Sequence, residues 1–170
     1  MDYQQSRAYI RDAEQYAGGA LDLTNIKEIM KRLGNPQDQL KYIHVAGTNG
    51  KGSVIAYLYT TLMKAGYHVG RYISPSVYSY REKIETEGKP ISREKFAEQT
   101  TRVAAVIEEM TAEGLAHPTP FEIETAVAFL FFAEEKCDPV ILEVGMGGIT
   151  DATNLIGTTE LAVLVPISMD

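Results

Sequence analysis

A single cysteine, Cys137, stands among the 170 residues. An internal disulfide is therefore excluded, and the chain suits a reducing cytosol. Basic residues are also scarce: 16 Lys and Arg against 23 Asp and Glu give a formal net charge of −7. A nucleic-acid partner, whose phosphates ask for a basic face, is not expected. No apolar run approaches a membrane span, and Met1-Asp2-Tyr3-Gln4-Gln5 lacks the basic-then-apolar start of a secretory signal. The expectation is a soluble, cytoplasmic protein with neither a nucleic-acid nor a membrane partner. The rest of the composition is ordinary: 45% apolar and 23% charged residues suffice for one domain with a real core.

What is present is concentrated in Tyr42-Ile43-His44-Val45-Ala46-Gly47-Thr48-Asn49-Gly50-Lys51-Gly52-Ser53-Val54. A short apolar run stops in three glycines, with a lysine between the last two, and runs on into an amphipathic helix. Glycines at a strand-to-helix turn let backbone N–H groups converge on an anion, and the helix N-terminus adds its positive dipole end. Lys51 supplies a point charge for terminal phosphates. A glycine-rich turn that binds nothing is the plainer alternative, but a lysine flanked by glycines is an odd choice for a mere turn. The strict phosphate-loop pattern is not met. Val45 stands where its first Gly belongs, and Gly52 stands where Ser or Thr should follow the Lys. That Ser or Thr ordinarily ligates Mg²⁺, so the metal has to find its oxygen ligands elsewhere.

Helical spacing predicts helices over residues 4–17 and 24–33, the second bearing Ile26, Ile29, Met30 and Leu33. A strand at 41–46 leads into the glycine turn. Val54, Ile55, Leu58, Leu62 and Met63 then form a helical stripe that ends at Gly66. A second strand spans 68–73 and ends at Ser74-Pro75; residues 81–91 suggest a small hairpin or loop around Glu87-Gly88; a long helix starts at Ser92. Thr119-Pro120-Phe121-Glu122 opens another helix, with an N-cap, a proline at the first helical position and a capping-box glutamate. That helix, to residue 136, is apolar on most faces and is expected to be buried. Residues 139–144 lack polar alternation, the mark of a central parallel strand covered on both sides, and 161–167 read the same way. Strands alternating with helices give an α/β fold, a mainly parallel sheet flanked by helices, of the phosphate-loop nucleotide-binding type. A βαβ series that stops just past a buried strand reads as truncated, the front part of a longer protein.

Glu143 interrupts an apolar run near the C-terminal end of its strand, the edge where open parallel sheets put their ligands. Beside a phosphate loop, an acid there holds a nucleotide-bound Mg²⁺; pairing with a nearby Lys or Arg is the alternative. The following Gly145-Met146-Gly147-Gly148 suggests backbone close to a ligand, and its Asp-Ala-Thr-Asn tail (151–154) is too polar for a bare connection. Ser74, at the same edge, is a candidate for the metal oxygen that Gly52 lacks, or a turn cap. His44 reads as a mid-strand core residue, His68 and His117 as loop positions, and Cys137 as a buried filler or surface thiol.

Residues 43–53 (IHVAGTNGKGS) and 141–156 (ILEVGMGGITDATNLI) resemble the folylpolyglutamate synthase and dihydrofolate synthase family, of the muramyl-ligase-like superfamily. Leu33-Gly34-Asn35-Pro36-Gln37, Ser74-Pro75 and Thr119-Pro120-Phe121-Glu122 extend the resemblance over most of the chain. It implies an ATP-dependent ligase that joins L-glutamate to dihydropteroate or a folate. ATP phosphorylates the substrate carboxylate, and the glutamate amine attacks the acyl phosphate to form an amide. By the same likeness Gly47, Thr48, Asn49, Gly50, Lys51, Gly52 and Ser53 cradle the phosphates, with Lys51 and Glu143 catalytic. Ser74 and Glu143 hold Mg²⁺, Phe121 and Asp151 lie close to the pterin, and residues 18–30 form a loop over the substrate. No covalent enzyme nucleophile is needed, which suits a chain with no Ser–His or Cys–His pair.

The chain departs from the family pattern at Ser76, where His follows the Ser-Pro, and at Ile149, where Arg precedes the Asp. After a segment like Ile167-Ser168-Met169-Asp170 the family continues with a histidine for a second Mg²⁺, a modified lysine and a C-terminal domain. The expectation is therefore that residues 1–170 are the N-terminal part of the ATPase domain and incompetent alone. Two other readings stay open on the residues: a phosphate-loop kinase or hydrolase, and a nucleotide- or pterin-binding module that does no chemistry.

Overall fold

The computed structural model describes residues 1–18 and 22–168. Gly19, Ala20 and Leu21, within the expected substrate loop, and Met169 and Asp170, at the end of the motif beginning at Ile167, lie outside the described residues. Helix α1 (Tyr3–Asp12) opens on a capping box between Asp2 and Gln5, and α2 (Thr24–Arg32) buries Ile26, Ile29 and Met30 at helical spacing. Strand β1 (Tyr42–Ala46) feeds α3 (Lys51–Lys64), which returns to β2 (Gly70–Tyr72). A hairpin of β3 (Ile84–Thr86) and β4 (Lys89–Pro90) turns at Glu87 and Gly88, both at positive φ. Ser92 caps α4 (Arg93–Ala112) by accepting from the Lys95 amide. Thr119 and Glu122 close the capping box of α5 (Pro120–Glu134), and β5 (Val140–Glu143) and β6 (Thr159–Leu164) complete the sheet.

The six strands run in the order β4-β3-β2-β5-β1-β6. β2, β5, β1 and β6 are parallel; the hairpin adds an antiparallel edge. β5 is buried along its whole length, as its unbroken apolar run demands: Val140 and Leu142 enter the core under α1, α2, α4 and α5, and Ile141 the core under α3. Helices thus cover both faces, and no helix among the described residues is long and apolar enough to cross a membrane.

One expectation is overturned. Residues 161–167 read as a strand covered on both sides, yet β6 ends at Leu164, pairs among the described residues only with β1 and stands mostly exposed, with Leu164 74% accessible. An apolar run records fitness for burial; Val163 and Val165 meet the core under α3, while Leu161, Leu164 and Ile167 stay exposed.

Helix α5 lies unusually close to the sheet at Gly70. A Cβ added there would sit 2.7 Å from Cδ1 of Phe132, a ring with no exposure. Gly70→Ala is therefore expected to cost about 1–3 kcal/mol in chemical denaturation, the range for overpacking a filled core. Adding Phe132→Leu should recover part of it; a fully additive pair would contradict the close approach.

Candidate active site

β1, β5 and β2 end at one edge of the sheet because Val45 pairs with Glu143 and Leu142 with Tyr72. The turn after β1 is tight. Gly47 has φ +135°, and a Cβ on it would fall 2.4 Å from Cγ2 and 2.6 Å from the carbonyl oxygen of Val165. Gly50, at φ +95°, is the N-cap of α3 and brings no side-chain acceptor to the first turn. The Thr48 and Asn49 amides donate to the Pro166 carbonyl at 3.1 and 3.4 Å, so only part of the expected 47–53 cradle remains available. That part is the first turn of α3: the amides of Lys51, Gly52 and Ser53 precede the first helical bond, from the Val54 amide to the Gly50 carbonyl. A Cβ at Gly50 or Gly52 would meet nothing within 4 Å, so the mouth of the turn is open. Lys51 folds back over it, its Nζ donating to the Gly47 carbonyl at 2.9 Å and lying 3.8 Å from Oε1 of Glu143.

Glu143 is nearly enclosed, with 8% exposure. Its Oε2 accepts the Ser74 amide at 3.1 Å. Burial pushes its carboxyl above the ordinary range, and the Ser74 N–H and the Lys51 ammonium pull it part of the way back. Lys51, Glu143 and Ser74 are thus brought together. As oxygen donors, this edge offers one carboxylate and the Ser74 hydroxyl, which makes no hydrogen bond among the described residues. No group of three or more His, Cys, Asp or Glu is gathered for a metal among those residues. So sparse a set fits Mg²⁺, which keeps several waters and takes one or two carboxylates plus substrate phosphates.

Beside Ser74 opens a cavity of about 590 Å³, lined by Phe121, Thr119, Lys83, Met146 and Asp151 among others. Phe121, on the first turn of α5, stacks on Tyr72 with ring centroids 6.1 Å apart at 25°. Asp151 is buried beneath the glycine loop. Its Oδ2 accepts the Gly145 and Met146 amides at 2.9 and 2.8 Å, and its Oδ1 accepts the Thr153 amide at 2.9 Å and the Thr153 hydroxyl. The loop itself is close-packed: a Cβ on Gly145 would come 2.8 Å from Cζ of Phe121.

Lys83 was not anticipated. Its Nζ donates to both oxygens of buried Glu124, at 2.8 and 3.0 Å; the Tyr80 hydroxyl donates to the same carboxylate, and the Arg7 guanidinium stacks 3.4 Å over the Tyr80 ring. The available signal was Glu124 itself, a charge inside a helix otherwise apolar on most faces. His44, read as core, is half-buried with Nε2 2.8 Å from the Thr153 hydroxyl oxygen, and burial lowers its pKa against the pull of Asp151. His68 bonds Glu87, and His117 stacks on Tyr16 with centroids 4.1 Å apart. Cys137 is buried, its thiol pushed up to about 12 by desolvation, which makes it a filler.

A mainly parallel sheet whose first strand runs through a glycine turn and a lysine into a helix defines an α/β domain of the phosphate-loop type. No protein-family model matches the chain. The dihydrofolate synthase/folylpolyglutamate synthase of Bacillus subtilis (strain 168) is 41% identical over 155 residues, covering 91% of this chain and 36% of its own length. The folylpolyglutamate synthase of Lacticaseibacillus casei is 35% identical over 171 positions, 100% of this chain and 40% of its own. A solved FPGS–AMPPCP–folate complex superposes with a TM-score of 0.91 at 34% identity, over 100% of this chain and 41% of that one. Folylpolyglutamate synthase from Mycobacterium tuberculosis complexed with ADP gives 0.88 at 34%, over 99% and 38%. The chain belongs to the folylpolyglutamate/dihydrofolate synthase family and spans about two fifths of the length of these relatives.

The raised pKa of Glu143 has a definite sign. A carboxyl whose folded pKa exceeds its unfolded value stabilises the fold only at low pH, and that contribution is lost as pH rises through the folded pKa. Glu143→Gln keeps the acceptor for the Ser74 amide without the buried charge. Its Tm should match wild type below about pH 4, the lower side of the ordinary Glu range, and exceed it at pH 8. A variant less stable than wild type across this whole range would contradict the cost of burying that carboxylate.

Proposed function

We propose that this chain supplies the nucleotide and pterin sites of an ATP-dependent ligase that adds L-glutamate to dihydropteroate or a tetrahydrofolate. In domain terms it is the N-terminal part of the ATPase domain, and ligation is assigned to the enzyme as a whole, since the relatives are matched over only two fifths of their length. The observation that carries the reading is the uncapped first turn of α3, with Lys51 3.8 Å from a buried Glu143, next to a cavity walled by Phe121. Relatives of this fold are solved with AMPPCP and folate and with ADP, which supports the same two ligands here.

In this reading the amides of Lys51, Gly52 and Ser53 and the Lys51 ammonium hold the ATP phosphates, where the helix dipole favours negative charge. Glu143 and Ser74 hold Mg²⁺, which when bound offsets the phosphate charge that otherwise repels a substrate carboxylate. The pterin lies in the Phe121 cavity with its tail towards this edge. The substrate carboxylate oxygen attacks the γ-phosphorus of ATP, the bond to the bridging oxygen breaks, and ADP leaves. The neutral glutamate amine attacks the acyl phosphate, loses a proton, and phosphate leaves as the amide forms. The contribution of the chain is positioning and charge neutralisation.

The test is ADP release by the whole enzyme, measured with and without each acceptor. A ligase releases ADP only when a pterin substrate and glutamate are both present; release without glutamate would make it a kinase or hydrolase. Glu143→Gln should lower turnover by roughly 10²–10³-fold, in the range for removing an electrostatic catalytic group, while remaining folded. Turnover at the wild-type rate would remove the metal assignment.

A further inference from the structure

We propose that His44 and Thr153 are positioning residues for the pterin cavity, acting through Asp151, which braces the glycine loop from below. The carboxylate of Asp151 has about four acceptor sites, and this structure fills them with the Gly145, Met146 and Thr153 amides and the Thr153 hydroxyl. Such a group has little capacity left for a ligand; its work is to hold the backbone that lines the cavity. Thr153 has one hydroxyl proton. An ionised carboxylate can only accept, so that proton goes to Asp151, and the bond of 2.8 Å to His44 must run the other way, from Nε2–H of the imidazole to the hydroxyl oxygen. The tautomer of His44 is thereby fixed, and Thr153, which has no exposure, is locked at both ends.

The direction of this chain matters because of where it starts. His44 lies on β1, three residues before Gly47, and Asp151 supports Gly145 and Met146, which follow β5. The strand that delivers the phosphate turn is thus tied by side chains to the loop of the neighbouring cavity. Thr153 also belongs to the short 3-10 turn Ala152–Leu155, whose N-cap is Asp151, so its hydroxyl orients the carboxylate that starts its own turn.

That the cavity takes a pterin rests on the reading above; the bracing does not. ¹⁵N NMR of the imidazole, together with amide hydrogen exchange and the affinities for folic acid and AMPPCP, tests both. In wild type, Nε2 should carry the proton and Nδ1 should be bare. Thr153→Val should speed exchange at Gly145 and Met146 about tenfold and weaken folic acid by a similar factor, the size of one hydrogen bond to a charged group. AMPPCP affinity should stay within about twofold, and Thr153→Ser should restore both losses. If Thr153→Val does not fold, His44→Leu should give the same pattern at a half-buried position. An Nδ1–H tautomer, unchanged exchange in Thr153→Val, or a Ser variant as impaired as Val would each overturn the proposal. Altered exchange in a chain whose wild type does not bind folic acid would support the brace and refute the pterin reading.

Discussion

Val45 and Glu143 stand opposite one another in the parallel pair β1–β5, and the site depends on that register. A slip of one residue in either strand would send every side chain beyond it to the other face. Glu143 would leave the edge where Lys51 reaches it, and Ile141 and Leu142 would exchange cores. The register is held from both flanks. The Val144 amide bonds the Val45 carbonyl, and the Val165 amide bonds the Ala46 carbonyl, so the last turns of three strands are tied in sequence. The glycine turn after β1 is stiff for the same reason: Gly47 is pressed against Val165 with no room for a methyl group. A loop that looks merely glycine-rich in sequence is fixed by what its neighbours leave it.

Local chemistry made much of the fold legible. The box of Thr119 and Glu122 with Pro120 between them marks the start of α5, and the unbroken run before Glu143 marks a central strand. Both signals work because cause and effect lie within a few residues. The residues that gather at the edge, Lys51, Ser74 and Glu143, were readable because each ends or follows a strand. What sequence could not give is partnership at long range. The exposed flank of β6 looks in sequence like β5, since apolar character does not name the surface that meets it. The Thr48 and Asn49 amides looked free until Pro166, far along the chain, took them. The four hydrogen bonds that Asp151 accepts from Gly145, Met146 and Thr153 were not legible in the sequence either.

The most enclosed charge of the helical layer, Glu124, is neutralised where it stands. Glu124 is tolerable in α5 because Lys83 and Tyr80 both donate to it, and removing one partner would leave a buried charge unpaired. Glu143, on β5, is held more loosely, with one amide donor and a lysine at 3.8 Å. Its carboxylate is left under-compensated at the place where a cation would complete it. Lys83 connects the two regions, lining the Phe121 cavity while holding Glu124.

The strand order β4-β3-β2-β5-β1-β6 has a consequence for biogenesis. β1 and β2 come early in the chain but never touch; the place between them belongs to β5, and Tyr42 pairs with Val140. Until that late strand leaves the ribosome, β1 has no partner strand and β2 has only the β3–β4 hairpin on one of its edges. The middle of the fold is therefore closed by one of its latest strands, a topology that favours slow, non-local pairing and prolongs the exposure of sticky edges to other chains. A growing polypeptide of this kind has reason to depend on chaperones until its 144th residue has emerged.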